Sequence, residues 1–289
     1  MVKKIIRTIF FIAVFILILF KTLYTHSSTN NEIQENYSKI PEKNVCIALT
    51  YHRIRNNSLW NSFLEKFLKS DELIHYSIST DEFKNQIDEL IDNGAYFASL
   101  NEVKTFRESA SFPDRCVWIS FDDADETVYK NAFPYLKEKN IPFTVFIIAG
   151  QVGNTDFNNL KMASWNELKE MKDSGLVSFG SHTYNMHYLE DNRAEFLNAE
   201  NYDDFYNDIC KSKDVINEKL DINITSIAYP FGDTSDKLTE LSHKAGFTDA
   251  FILCPKPITT DNDSYYLNRY MIDKHNFKLI VTPWLENKS

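Results

Sequence analysis

Short apolar runs alternate along this chain with stretches in which apolar residues recur every three or four positions. The first pattern predicts buried strands and the second amphipathic helices. Strands are expected over 44–51, 95–100, 116–121, 141–149, 176–180, 224–229 and 248–253, with a further one over 265–272. The helical pattern opens at a capping sequence, Ser79-Thr80-Asp81-Glu82, turns Phe83, Ile87, Leu90 and Ile91 inward, and closes at Asn93-Gly94. Further helices are predicted from Asn101, over 126–139 with a kink at Pro134, from Ser164 to just before Gly175, over 203–220 and over 236–245. Strands alternating with helices imply a mostly parallel sheet built from βαβ crossovers, and six or seven such strands suggest a closed or partly closed α/β barrel.

Two stretches stand outside this rhythm. Residues 56–70 carry Leu59, Trp60, Phe63, Leu64, Phe67 and Leu68 at helical spacing, which fits a core helix or an amphipathic loop touching membrane or polymer. At the N-terminus, Lys3, Lys4 and Arg7 precede the apolar run 9–20, and Lys21 follows it. A basic segment before a short apolar core is an export signal, so 1–28 is expected to be a signal peptide or an N-terminal membrane anchor. Residues 29–43 read as a polar linker, and 44–289 as one catalytic-size domain that is secreted or held at the cell surface.

Composition changes the picture in two ways. The net charge of the chain is −10, and 1–28 hold four basic and no acidic side chains, so the remainder carries −14. That argues against general nucleic-acid binding. The four cysteines, Cys46, Cys116, Cys210 and Cys254, show no CxxC spacing. An exported protein admits a disulfide, but so few cysteines make no disulfide scaffold, and buried thiols are the expectation.

The chemistry gathers where strands end. Asp122 and Asp123 follow the run 116–121, His52 follows 44–51, and His182 and His187 follow 176–180. The C-terminal edge of a parallel sheet is where ligands bind. Adjacent carboxylates repel when both are ionised, so the pair needs a compensating cation or a raised pKa. Two neutral imidazoles and one carboxylate suit Zn²⁺, or alternatively Co²⁺ or Ni²⁺, with a coordination position left open. A separation of five positions from His182 to His187 does not fit one helix face, so a loop has to fold both rings toward one point.

Three segments carry a family resemblance. Ser120-Phe121-Asp122-Asp123, Ser181-His182-Thr183-Tyr184-Asn185-Met186-His187 and Ala228-Tyr229-Pro230-Phe231-Gly232 resemble successive motifs of the polysaccharide deacetylases of the NodB type, carbohydrate esterase family 4. The resemblance implies a distorted or incomplete (β/α) barrel. It also implies that Asp123, His182 and His187 hold a divalent metal, that Asp122 is the general base, and that a backbone N–H near Phe231 meets the oxyanion. In most members the histidine acid lies near the C-terminus. Here the matching segment is Leu49-Thr50-Tyr51-His52, near the start, a circularly permuted order similar to that of biofilm-exopolysaccharide deacetylases acting on poly-β-1,6-N-acetylglucosamine. Tyr184 and Tyr188 are further candidates for the groove, whereas Trp118, within a strand, reads as core.

The chain departs from the family pattern twice. Ala124 stands where the family has Gly, a tolerable change if its φ is negative. The third motif lacks its usual Arg, and Arg269 could supply the guanidinium from a later strand or be an ordinary salt-bridging residue. Two rivals remain open: a peptidoglycan or chitin-oligomer deacetylase, and a non-catalytic carbohydrate-binding relative.

Overall fold

The computed structural model describes residues 40, 43–56, 76–273 and 275–286. The segment 1–28, nearly all of the linker 29–43 and the aromatic run from residue 57 onward lie outside the described residues. In chain order the strands are β1 (Cys46–Tyr51), β2 (Arg53–Arg55), β3 (Ser77–Ser79), β4 (Tyr96–Phe97), β5 (Cys116–Phe121) and β6 (Phe143–Ile147). They continue with β7 (Val177–Ser181), β8 (Leu189–Glu190), β9 (Arg193–Ala194), β10 (Ser226–Ala228), β11 (Asp249–Phe251) and β12 (Tyr270–Met271). The α-helices are α1 (Thr80–Asp92), α2 (Leu100–Glu108), α3 (Phe133–Glu138), α4 (Trp165–Asp173), α5 (Tyr202–Leu220), α6 (Asp236–Lys244) and α7 (Asn276–Glu286).

The main sheet is parallel and runs β11-β10-β7-β6-β5-β1-β12, with β4 lying against the start of β5. Between β11 and β12 the seam is bridged at Leu267, whose N–H donates to Ala250 O at 3.0 Å and whose carbonyl accepts from Ile252 N–H at 2.9 Å. The chain from Leu267 onward thus touches β11 at one end and β1 at the other, curling the sheet into a distorted barrel. Alternation along β5 builds two cores from one strand. Val117, Ile119 and Phe121 face the large cluster beneath the helices, while Cys116 and Trp118 join Ala48, Phe146, Phe251 and Leu267 in a second. Leu100 and Val103 of α2 belong to that inner cluster, and Lys104 on the same helix pairs with Asp249 at 2.6 Å. This places α2 across the N-terminal ends of the strands, opposite the C-terminal ends that carry the candidate chemistry.

Several expectations change. Ser79 and Ser164 do cap their helices, α2 begins at Leu100 under a Ser99 cap that was not expected, and Ile91 is exposed rather than inward. The helix read over 126–139 divides into a π-helical turn at Val128–Ala132 and then α3, with Pro134 in the first turn of α3, where its missing N–H does no harm. Helix α7 was not foreseen because Pro283 interrupts its pattern, although Phe277, Ile280, Val281, Trp284 and Leu285 are all buried at helical spacing. Cys46 and Cys116 are joined by a disulfide rather than being free thiols. They stand 70 residues apart in sequence but directly opposite in the β1–β5 register.

Candidate active site

Register brings the first three site residues together. Tyr51 of β1 pairs with Phe121 of β5, and Asp122 N–H still donates to Tyr51 O at 3.0 Å. The next residues on each strand, His52 and Asp122, therefore lie side by side, and so do Arg53 and Asp123. Extended backbone would point Asp122 and Asp123 to opposite faces. Asp123 instead takes φ 73° and Ala124 φ 67°, a left-handed turn that brings the second carboxylate round to the same cavity. The condition for tolerating Ala at 124 is thus not met, since its φ is positive and the conformation is strained for an L-residue.

The two carboxylates have different partners. Asp122 is buried and receives a two-pronged pair from Arg269, with Nη1 donating to Oδ1 at 2.7 Å and Nη2 to Oδ2 at 2.9 Å. Arg269 is fully buried, its guanidinium lying over the Phe146 ring at 5.2 Å and the Phe251 ring at 5.9 Å. Gly180 makes room for this stack, because a Cβ there would come within 2.5 Å of the Phe146 ring. Burial pushes the Asp122 carboxyl up, but Arg269, His182 and His52 outweigh it and hold it below its ordinary range.

Asp123 gives one oxygen to Arg53, whose Nη2 donates to Oδ2 at 3.0 Å. The other, Oδ1, is buried 3.2 Å from His187 Nε2 and 3.6 Å from His182 Nε2, without a well-formed hydrogen bond to either. Burial again works against ionisation, yet His187, Arg53 and His52 keep Asp123 well below the usual carboxylate range. His182 Nδ1 donates to Ala228 O at 2.8 Å, which fixes the tautomer and turns the Nε2 lone pair toward Asp123. One donor atom from each of Asp123, His182 and His187 lies within 4.8 Å of the others. A carboxylate oxygen left bare between two imidazole nitrogens fits a divalent cation with an open position.

His52, Asp122, Asp123, His182, His187 and Phe231 all line one cavity of about 480 Å³. The His52 ring stands edge-on to Tyr76 at 4.9 Å, and burial lowers its pKa to about 4 against the pull of Asp123 and Asp122. Phe231 lies beside His187, ring centroids 4.7 Å apart, on a backbone with φ 61°. Tyr188 lines the mouth and is exposed, but Tyr184 is not among the lining side chains. Its ring instead lies 3.8 Å beneath Lys211 Nζ. Trp118 is core, as expected. Arg53 went unrecognised at the sequence level, although pairing β1 with β5 in register would have set it opposite Asp123.

A family model described as Polysaccharide deacetylase matches residues 109–250. The chain is 36% identical over 276 residues to a poly-β-1,6-N-acetyl-D-glucosamine N-deacetylase of Staphylococcus epidermidis, covering 95% of each chain. A protein of the same name from Staphylococcus aureus is 36% identical over 273 residues, with 94% of each chain covered. Among solved structures, IcaB from Ammonifex degensii superposes with a TM-score of 0.74 at 29% identity, covering 85% of this chain and 98% of that one. The de-N-acetylase from Aggregatibacter actinomycetemcomitans shares the fold, with a TM-score of 0.67 at 22% identity over 83% of this chain and 99% of its own. With that identity running almost from end to end, the chain belongs to the polysaccharide deacetylase family.

Proposed function

We propose that this protein is an exported, metal-dependent hydrolase that removes N-acetyl groups from poly-β-1,6-N-acetyl-D-glucosamine. The substrate follows the staphylococcal relatives, which carry that activity in their names over nearly the whole chain. The observation that carries the chemistry is the division of the carboxylate pair. Asp122 is held ionised by an arginine, and Asp123 presents a bare oxygen to two histidines. A non-catalytic relative would have no use for this arrangement.

Asp123, His182 and His187 would hold the metal. A divalent ion there supplies Lewis acidity, making water a better nucleophile and polarising the acetamide carbonyl. Asp122 accepts the proton that water loses as its oxygen attacks the carbonyl carbon. Arg269 keeps Asp122 ionised and fixes its orientation, so the lone pair that takes the proton is aimed in advance. The Phe231 backbone N–H meets the oxygen on which negative charge develops. His52 protonates the amine nitrogen as the C–N bond breaks, because expulsion of an unprotonated amide anion is prohibitive. Its lowered pKa leaves the ring neutral at pH 7 in the free protein. It becomes charged only during the reaction, when the proton that Asp122 has taken from water passes to the neighbouring ring and leaves Asp122 ionised again. Acetate and a glucosamine unit result.

Substitutions separate these roles. Asp122→Asn and His52→Ala should each lower acetate release by about 100-fold or more while retaining bound metal, whereas His182→Ala should lose the metal. Metal content by elemental analysis and acetate release are measured on the same samples. A fully active His52→Ala protein would remove His52 from the acid role.

A further inference from the structure

His182 and His187 converge although no helix or strand sets their spacing, so another part of the chain must fold the loop between them. Most of that work falls to one face of α5. Asp208 Oδ1 accepts the Tyr184 N–H at 2.6 Å and Oδ2 accepts the Asn185 N–H at 2.8 Å, and the Met186 N–H is turned to the same carboxylate. One turn further on, Ser212 Oγ donates to Thr183 O at 3.1 Å. From the opposite side, Ala149 N–H donates to Thr183 O at 3.1 Å and Gly150 N–H to Tyr184 O at 2.8 Å. A Cβ at Gly150 would sit 2.2 Å from Asn185 Oδ1 and 2.6 Å from Tyr184 O, so the loop is packed directly onto bare backbone. Thr183 completes the bend at φ 72°.

We infer that Asp208, which does not reach the cavity, is a positioning residue that shapes the loop between His182 and His187 into its metal-binding form before any metal arrives. Successive backbone N–H groups pointing one way need an acceptor with lone pairs on both oxygens. An ionised carboxylate meets that need, whereas an asparagine turns an NH₂ group toward one of the donors. The loop is thus ordered by a side chain that acts on the site through the backbone between the two ligands. This rests on the proposed metal reading of Asp123, His182 and His187.

The test is Zn²⁺ binding to the metal-stripped full-length protein by calorimetry, for wild type, Asp208→Asn and Asp208→Ala, with thermal unfolding of the metal-free proteins alongside. Substitutions behind metal ligands typically weaken metal affinity by about 10- to 100-fold. Both variants are expected in that range, with Asp208→Asn retaining a cooperative metal-free transition. Amide exchange of the metal-free wild type needs no variant, and there the Tyr184 and Asn185 N–H groups should be protected. Wild-type affinity in a folded Asp208→Asn protein, or unprotected amides at Tyr184 and Asn185, would overturn the positioning role alone. A wild type that takes up no Zn²⁺ would overturn the metal reading and this inference with it.

Discussion

Asp122 and Asp123 are neighbours in sequence with opposite surroundings, and the difference traces to which cation each one meets. Arg269 grips Asp122 through two hydrogen bonds, a fork that lysine cannot reproduce. Arg269→Lys should therefore let the Asp122 pKa rise. A base must be ionised to act, so the acid limb of the kcat/KM profile should move to higher pH, which a pH–rate series would measure. An unmoved limb would detach Arg269 from Asp122's ionisation. Ala124 offers a cleaner stability test. An L-residue in the left-handed region is penalised by roughly 1–2 kcal/mol, partly offset in a glycine variant by the about 0.5–1 kcal/mol entropy loss of ordering glycine. At φ 67°, Ala124→Gly should raise stability by about 0.5–1 kcal/mol, read as a higher denaturant midpoint with unchanged slope.

At the level of elements, the β1–β5 register organises both ends of the barrel. At the C-terminal edge it sets His52 beside Asp122 and Arg53 beside Asp123; at the start it sets Cys46 opposite Cys116. Closing a loop of 70 residues contributes about 4 kcal/mol by constraining the unfolded chain. Cys46→Ser with Cys116→Ser should lose stability of that order in chemical denaturation. The folded fraction should keep its turnover, since the bond lies at the far end of the strands from the cavity. Strand ends were legible because apolar runs stop abruptly at polar residues, and that alone located Asp122, His52 and His182. Register was not legible, because it is set by pairing between distant segments, so the disulfide and the Arg53–Asp123 pair stayed hidden. Asp208 gave no signal at all, since it lies in an ordinary amphipathic helix and acts through backbone groups 23 and 24 residues away.

Across the described residues the molecule is a curled parallel sheet with α2 at one end and the cavity at the other. The residues proposed for catalysis come from chain positions as far apart as His52 and Arg269, so only the closed sheet makes them neighbours. Arg269 could be named from sequence but not placed, because its pairing with Asp122 depends on the strand at 270–271 returning beside β1. The permuted position of His52 and the family identity narrow the substrate to a neutral amide-bearing glycan. The direct test is acetate release by the purified protein with Zn²⁺, Co²⁺ or Ni²⁺ supplied, comparing β-1,6-linked with β-1,4-linked N-acetylglucosamine oligomers. The proposal requires metal-dependent release from the β-1,6 oligomer, abolished by a chelator and restored by added metal. Release from the β-1,4 oligomer alone, or from the β-1,6 oligomer at an undiminished rate in excess chelator, would contradict it.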